Sequence, residues 1–334
     1  MTMPANPTQL SLYWRLRYRA EAAIFFAFMT AFKFLPVDTA SALGGFIGRH
    51  LLAHTPIDLR AQRNLEAAFA DRSAAELATI RSEMWDNLGR TIAEYPHLDA
   101  FRMRGEDPRI IVEGLEHVRV AQQTGKGIIF VSGHLANWEI LPITAFDYGL
   151  DGGSVYRPVN NPFVDAWTVA QRTQNGPKYM ISKGPQGTRR IFSLLRQGKA
   201  IFMLVDQKTN EGIPAQFFGR MAMTTPAPAV LALKLGAILL PTTNERLSGA
   251  HFKVTVHPPI LAVASDDHER DVLNLTQQIN DVIEAVIRRR PSQWLWIHRR
   301  WPKTGDRPRS RRGKRVQTLG GNGVGVDSDG SSLT

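Results

Sequence analysis

A histidine and a glutamate lie five residues apart near the middle of the chain, shortly after an apolar run. The run, residues 127–131, is short, β-branched and bounded by glycine, which is typical of a buried strand. Open α/β sheets form their sites beyond the carboxyl ends of strands, so His134 is well placed for chemistry. An imidazole at such a position can act as a general base.

The spacing sets a condition on this pair. On one continuous helix, residues five apart differ by roughly 140° around the axis. His134 and Glu139 can therefore meet only if the histidine precedes the helix and the glutamate lies in its first turns. We then expect Glu139 to hold the Nδ1 proton of His134, which leaves Nε2 free to act on a substrate hydroxyl. The alternative is a core histidine beside an unrelated glutamate on a helix surface.

Four motifs occur in order along the chain: Gly133-His134-x-x-Asn137-Trp138-Glu139, Tyr156-Arg157-Pro158-x-x-Asn161-Pro162, Asp206-Gln207 and Phe217-Phe218-Gly219. This series resembles the bacterial lipid A biosynthesis acyltransferases, the late lauroyl and myristoyl transferases of the lysophospholipid acyltransferase superfamily. The resemblance covers roughly residues 10–303. A glutamate stands where the glycerolipid branches commonly have aspartate, which favours the lipid A branch.

The reaction we expect is direct acyl transfer without a covalent acyl-enzyme, with His134 as base and Glu139 steadying the imidazolium. The resemblance implies that the donor is acyl-acyl carrier protein and that the acceptor is a hydroxyacyl chain on a lipid A precursor. No further cofactor is expected. No metal is expected either, because no cluster of side chains has convincing ligand spacing.

Substrate contacts are predicted for further residues of the same motifs: Asn137, Trp138, Tyr156, Arg157, Asp206, Gln207, Phe217 and Gly219. Arg157 follows a predicted strand, where its guanidinium could bind a substrate phosphate or offset the charge of an oxyanion. The alternative for Arg157 is a surface residue in a turn.

Asp206 and Gln207 follow the predicted strand 200–205, so they belong to the sheet edge predicted for His134. Asp206 could orient the acceptor sugar, fix a neighbouring arginine or cap a loop. Phe217 and Gly219 are predicted to line an acyl groove, with core and turn as the alternative. The aromatic and basic run at 294–301 suits either a bilayer interface or core packing.

The composition points to acidic partners. The formal net charge is +11 and the chain contains no cysteine, which excludes a disulfide scaffold and a cysteine nucleophile. Acidic partners include an anionic membrane surface, a phosphorylated substrate, an acidic carrier protein and nucleic acid. A nucleic-acid-binding protein is the remote alternative, because the charge is concentrated in the tail and no nucleic-acid motif occurs.

Residues 1–53 are predicted to form a membrane anchor and further helices. The uncharged stretch 22–32 rises about 17 Å as a helix, short of a hydrocarbon core of about 30 Å, and extension to 20–35 gives about 24 Å. An interfacial anchor is therefore favoured over a strained span. Ala40-Ser41-Ala42 resembles a signal cleavage site, but the next segment is still an apolar helix. The resemblance implies a retained anchor in the bacterial inner membrane, with the active site on the cytoplasmic face.

Residues 54–303 are predicted to be the catalytic domain. Strands and helices alternate along it, which predicts an α/β fold: one layered domain with a mixed sheet flanked by helices. Residues 304–334 are predicted to be a disordered tail, first basic and then rich in Gly and Ser. Within the superfamily the acceptor could also be a lysophospholipid, a glycolipid or an aminolipid, because the anchor is short and the tail unusual.

Overall fold

The computed structural model of the chain describes residues 11–301. The tail predicted at 304–334 lies outside the described residues. The helices are α1 Leu12–Lys33, α2 Val37–His50, α3 Asp58–Ala68, α4 Ala74–Glu94, α5 Leu115–Gln123, α6 Ile140–Asp147, α7 Pro162–Asn175, α8 Pro185–Arg196, α9 Ala227–Leu235 and α10 His268–Arg289. Short 3₁₀ turns cover Leu52–His54, Tyr95–Ala100 and Pro291–Gln293.

The strands are β1 Ile110–Glu113, β2 Ile128–Ser132, β3 Gly152–Tyr156, β4 Tyr179–Ser182, β5 Ala200–Leu204, β6 Ile213–Phe217, β7 Arg220–Thr224, β8 Ile238–Ser248 and β9 His251–Val256. Seven of them form one sheet in the order β1-β9-β8-β2-β5-β3-β4, and β6 and β7 form a separate hairpin. Only β8 and β9 pair antiparallel within the larger sheet of the described residues. The predicted α/β fold with a mixed sheet is confirmed.

Strand β2 lies inside this sheet and is buried throughout. Ile129 and Val131 pack in one apolar cluster with α10, whereas Ile128 and Phe130 pack in another with α5. This alternation follows from the two-residue period of a strand, and it shows that helices cover both faces of the sheet. The apolar run 127–131 was therefore correctly predicted to be a buried strand.

The parallel strands β2, β5 and β3 end at the same edge of the sheet. Ser132 of β2 pairs with Leu204 of β5, and the amide of Val205 donates to the carbonyl of Ser132 at 2.9 Å. Two residues further along each strand, the same register brings His134 and Asp206 side by side. The sheet thereby places the polar residues that follow β2 and β5 together.

Helix α2 packs against α4 with almost no side chain between them. A Cβ on Gly48 would lie 2.1 Å from the carbonyl oxygen of Trp85, and one on Gly89 would lie 2.1 Å from that of Gly44. Only glycine permits this backbone contact. Helix α4 also begins with a capping box, in which the hydroxyl of Ser73 accepts from the amide of Glu76.

Many large apolar side chains of the amino-terminal helices are exposed. They include Leu12, Tyr13, Leu16, Ile24, Phe28 and Phe34 around α1, and Leu43, Phe46 and Leu51 around α2. Within residues 11–301, no helix has both the length and the apolar character required to cross a bilayer.

Candidate active site

His134 and Asp206 form a close hydrogen-bonded pair at the edge of the sheet. Nδ1 of His134 lies 2.7 Å from Oδ1 of Asp206, and the His134 amide donates to Oδ2 at 2.7 Å. The indole Nε1 of Trp294 also donates to Oδ2 at 2.7 Å. Both oxygens of the Asp206 carboxylate are therefore occupied, and one of them orients the imidazole.

The Asp206 carboxyl is ionised in this environment. Burial acts to raise its pKa, but the charge and the hydrogen bonds of His134, together with the Trp294 donor, hold the pKa well below the ordinary value. An ionised Asp206 makes Nδ1 of His134 the protonated nitrogen, which leaves the lone pair on Nε2. Gly133 permits this approach, because a Cβ there would lie 3.1 Å from Asp206 Oδ2 and 3.2 Å from Ile283 Cγ2.

Glu139 does not hold His134, so this part of the prediction is wrong. The Glu139 carboxylate accepts from Arg172 of α7, from Nε at 2.7 Å and from Nη2 at 2.6 Å, and from the hydroxyl of Tyr95 at 2.5 Å. Burial acts to raise the pKa of Glu139, but the charge and hydrogen bonds of Arg172, together with the hydrogen bonds of Tyr95 and Trp138, keep the pKa below its usual value. Glu139 is thus half of a buried ion pair.

The physical reason lies in the path of the chain after β2. The chain turns sharply, with Ala136 at a φ of +45°, and α6 begins at Ile140. Trp138 lies between the two groups: its ring is 5.2 Å from the imidazole of His134, and its side chain hydrogen-bonds Glu139. The register of β2 against β5 places Asp206, rather than Glu139, next to Nδ1 of His134.

The second ring nitrogen of His134 contacts Gln207. Nε2 lies 3.1 Å from the side-chain amide nitrogen of Gln207, which can donate to its lone pair. The His134 side chain is 16% exposed, whereas that of Asp206 is 2% exposed. The structure brings together His134, Trp138, Asp206 and Gln207 from the predicted residues.

Asn137 belongs to a buried hydrogen-bond network, so its prediction as a substrate contact is wrong. Its side chain is fully buried, donates to Glu94 at 2.8 Å and accepts from the amide of Glu139 at 3.1 Å. Glu94 in turn pairs with Arg246 of β8 and accepts from the hydroxyl of Ser41 at 2.7 Å. The network ties the loop after β2 to α2, α4 and β8.

Phe217 and Gly219 also differ from the prediction. Phe217 is fully buried, and its ring packs 5.7 Å from that of Trp294 and 6.0 Å from that of Trp301. Gly219 has a φ of +65° and forms the turn of the β6–β7 hairpin with Phe218. These residues belong to the core and to a turn, not to an acyl groove.

Tyr156 and Arg157 lie where β3 ends, beside β5. Tyr156 is half-buried, and burial, followed by the charge of Asp165, raises its pKa. The side chain of Arg157 has neither an ion-pair nor a hydrogen-bond partner among residues 11–301. Arg157 is exposed.

Four residues of the site were missed by sequence reasoning: Tyr95, Arg172, Trp294 and His298. The ring of His298 lies 5.6 Å from that of His134, and Asn64 of α3 donates to the carbonyl of His298 at 2.7 Å. No local spacing links these residues to His134, because they come from α7, a 3₁₀ turn and the chain after α10. Trp294, Trp296 and Trp301 are buried, so the aromatic run packs in the core.

No group of three or more metal-ligating side chains occurs within residues 11–301. The site that the structure presents is built from the imidazole of His134, the carboxylate of Asp206, the amide of Gln207 and the indole of Trp294.

Comparison with known proteins places the chain in a family. Residues 11–303 match the family described as bacterial lipid A biosynthesis acyltransferase. The chain is 27% identical over 259 residues to the lipid A biosynthesis palmitoleoyltransferase of Escherichia coli strain K12, covering 72% of this chain and 77% of that protein. It is also 27% identical over 250 residues to the lipid A biosynthesis lauroyltransferase of the same strain, with the same coverage.

A more distant relative acts on another lipid, according to its name. It is the phosphatidylinositol mannoside acyltransferase of Mycolicibacterium smegmatis, 24% identical over 237 residues, covering 65% of this chain and 72% of that protein. The family match spans the described residues that carry His134 and Asp206, as well as the helices that precede them. The chain therefore belongs to the bacterial lipid A biosynthesis acyltransferase family.

Proposed function

We propose that this protein transfers a fatty acyl chain from an acyl-acyl carrier protein thioester to a hydroxyl of a lipid A precursor. Family membership supports the reaction class. The observation that carries the mechanism is the 2.7 Å contact between His134 Nδ1 and Asp206, with Nε2 beside the side-chain amide of Gln207. This arrangement is that of a general base held by a buried acid.

The reaction proceeds in two proton movements. The acceptor hydroxyl gives its proton to Nε2 of His134 as its oxygen attacks the thioester carbonyl carbon. Asp206 stabilises the imidazolium that forms, and Arg157 or amide N–H groups offset the charge on the carbonyl oxygen. When the C–S bond breaks, the thiolate takes the proton from Nε2, and His134 returns to its neutral form.

Glu139 acts in this proposal as a positioning residue. It pairs with Arg172 and Tyr95 beneath Trp138, whose ring forms an edge contact with His134. The buried pair fixes the start of α6 and with it the loop that carries the histidine. Loss of Glu139 is therefore expected to lower activity through misplacement of the loop and through the unpaired charge left on Arg172.

The amino-terminal helices supply the proposed membrane contact. Exposed apolar side chains on α1, such as Leu16, Ile24 and Phe28, occur on the same helix as three arginines, Arg15, Arg17 and Arg19. Apolar side chains enter the lipid boundary while arginines meet anionic headgroups, as in interfacial helices. We propose that the enzyme lies on the cytoplasmic face of the bacterial inner membrane in this way.

A glycolipid acceptor is the second candidate. The similarity to a phosphatidylinositol mannoside acyltransferase favours it, because that relative is 24% identical to this chain over 237 residues. Both candidates need the same chemistry at Nε2, so the acceptor alone separates them.

The test incubates membranes containing the protein with radiolabelled acyl-carrier thioesters and a panel of lipid acceptors. We expect label on the lipid A precursor and none on lysophospholipid or phosphatidylinositol mannoside. Label on the mannoside instead would select the glycolipid. Absence of transfer to every acceptor would contradict the proposed function.

A further inference from the structure

Helix α8 lies in a strongly basic part of the chain. Residues 166–205 contain seven Lys or Arg and no Asp or Glu. Three of these cations pair with Glu139 or Asp151, and the other four form no ion pair within residues 11–301. Those four, all exposed and all on α8 or just before it, are Lys183, Arg189, Arg190 and Arg196. Helix α8 therefore presents positive charge that no carboxylate of the described residues neutralises.

The side of α8 that points away from the sheet has an apolar centre between two arginines. Four residues share this side at the spacing i, i+3, i+4 and i+7, and we call them the α8 stripe: Arg189, Phe192, Ser193 and Arg196. They border a shallow groove on the surface. The ring of Phe192 is half-buried, and Nζ of Lys234 lies 5.4 Å from its centre. An aromatic ring is thus flanked by three cations.

Helix α8 and the proposed membrane helix α1 lie on different faces of the sheet. The buried side of α8 packs in the cluster that contains Ile129 of β2, whereas Ala145 of α6 packs in the cluster that contains Ile128. Alternate residues of a strand point to opposite faces, so α6 and α8 cover different faces. Helix α7 packs beside α6 and contacts α1, where the ring of Phe25 lies 5.3 Å from that of Trp167. A soluble acidic partner therefore fits the α8 stripe better than the bilayer that α1 would meet.

The amino-terminal end of α8 lies at the sheet edge that carries His134. Ser182 of β4 pairs with Tyr156 of β3 at that edge, and α8 begins at Pro185. Strand β4 is three strands away from β2, which corresponds to about 14 Å. Arg189 lies about 6 Å along the helix from Pro185. A protein docked on the α8 stripe is thus beside the edge at which an acyl thioester would react.

We propose that the α8 stripe, with Lys183 and Lys234 at its margin, is the docking surface for the acidic carrier protein that delivers the acyl chain. The inference rests on the proposed function and names the surface that meets the donor. Cations at the rim attract and orient an acidic partner, and Phe192 supplies an apolar contact at the centre. The carrier contributes the carboxylates that α8 itself lacks.

The test measures binding of fluorescently labelled acyl carrier protein to the full chain by fluorescence anisotropy. One variant, Arg189→Glu with Arg196→Glu, reverses both charges, and a second, Arg189→Gln with Arg196→Gln, only removes them. Arg119→Glu is the matched control, because Arg119 is an exposed arginine of α5, which packs on the other face of the sheet from α8. Cosedimentation with vesicles of phosphatidylethanolamine and phosphatidylglycerol measures membrane binding, and thermal unfolding checks that each variant is folded.

We expect the double charge reversal to raise the Kd for the carrier about tenfold to a hundredfold, and the double Gln variant to raise it by less. The KM for the carrier-bound thioester should rise with the Kd. Added salt should weaken binding by the wild type more than binding by the reversal variant, because that variant has lost the attraction that salt screens. Arg119→Glu should match the wild type, and all variants should cosediment equally with the vesicles.

The docking surface is overturned if both double variants bind the carrier as tightly as the wild type, or if Arg119→Glu weakens binding equally. It is also overturned if the double variants lose vesicle binding and keep carrier binding, because the α8 stripe would then meet the bilayer. Carrier binding by the wild type without acyl transfer to any acceptor would instead contradict the proposed function. The two failures are thus distinguishable.

Discussion

Replacing Asp206 with asparagine tests the orienting role of the buried acid. An asparagine has one oxygen and one NH₂ in place of two oxygens, whereas Asp206 meets three donors: Nδ1–H and the amide of His134, and the Trp294 indole. If the NH₂ faces His134 Nδ1, the imidazole must carry its proton on Nε2 and cannot act as a base. If the NH₂ faces the other two donors, those N–H groups lose their acceptor.

The expected loss of rate follows from the first orientation. In the serine protease triad, the same change leaves the geometry intact and lowers kcat by about 10⁴ through the wrong tautomer. Here the NH₂ of the introduced asparagine would replace the oxygen that lies 2.7 Å from His134 Nδ1. We therefore expect kcat to fall about 10³–10⁴-fold, which raises the activation barrier by roughly 4–5.5 kcal/mol. The mismatch should lower the free energy of unfolding by about 1–3 kcal/mol.

The assay measures initial rates of acyl transfer by the wild type and by Asp206→Asn, each at saturating thioester. Asp99→Asn is the matched control, because Asp99 is an exposed acid whose partner is Lys33 of α1 and not a residue of the His134–Asp206 pair. Thermal unfolding checks that both variants are folded. A rate for Asp206→Asn within about threefold of the wild type would refute the reasoning, since a misoriented imidazole loses far more.

The same variant also tests how the stability of the protein depends on pH. The pKa of Asp206 is lower in the folded protein than its ordinary value of 3.8, so its stabilising contribution is complete above about pH 4. That contribution is lost as the pH falls below this value toward the folded pKa. The difference in free energy of unfolding between wild type and Asp206→Asn should therefore shrink below pH 4 in an acid titration. A constant difference would contradict the assignment.

Three further changes test other parts of the structure. Glu139→Gln leaves Arg172 unpaired, so it should lower the free energy of unfolding by roughly 3 kcal/mol and reduce transfer without abolishing it; urea unfolding and initial rates check this. Gly48→Ala places a Cβ 2.1 Å from the Trp85 carbonyl and should cost about 2 kcal/mol or more, seen as a lower melting temperature. Phe28→Ser removes an exposed apolar ring and should weaken binding to anionic vesicles in a flotation assay, with unchanged melting temperature.

The position of His134, the proposed base, could be predicted because it depends on local features. A short β-branched run predicts β2, and the residues after a strand end lie at a sheet edge. His134 is therefore found from the sequence without knowledge of the strand order. The same argument placed Asp206 on that edge after β5, although it left the role of Asp206 open.

The hydrogen-bond partner of His134 could not be predicted in this way. Whether Asp206 or Glu139 reaches Nδ1 depends on β5 pairing directly with β2 in a register that aligns Ser132 with Leu204. Sequence spacing contains neither the order of strands nor their register. The five-residue interval suggested Glu139, but Arg172 of α7, which is distant in the sequence, binds that carboxylate instead.

The remaining errors have the same origin. Asn137 and Phe217 belong to sequence motifs that were predicted to bind substrate. The motif alone does not show which of its residues are buried in the folded protein. Their burial follows from contacts with Glu94 of α4 and with Trp294 after α10. His298 was missed because its nearness to His134 arises only when the chain after α10 returns to the end of β2.

The central claim is that Nε2 of His134 removes the proton from the acceptor hydroxyl. The most direct measurement is single-turnover transfer of a labelled acyl chain from carrier thioester to lipid A precursor, by the wild type and by His134→Ala under identical conditions. We expect the variant to remain folded and to show no transfer above the uncatalysed rate. Turnover by folded His134→Ala comparable with the wild type would contradict the account.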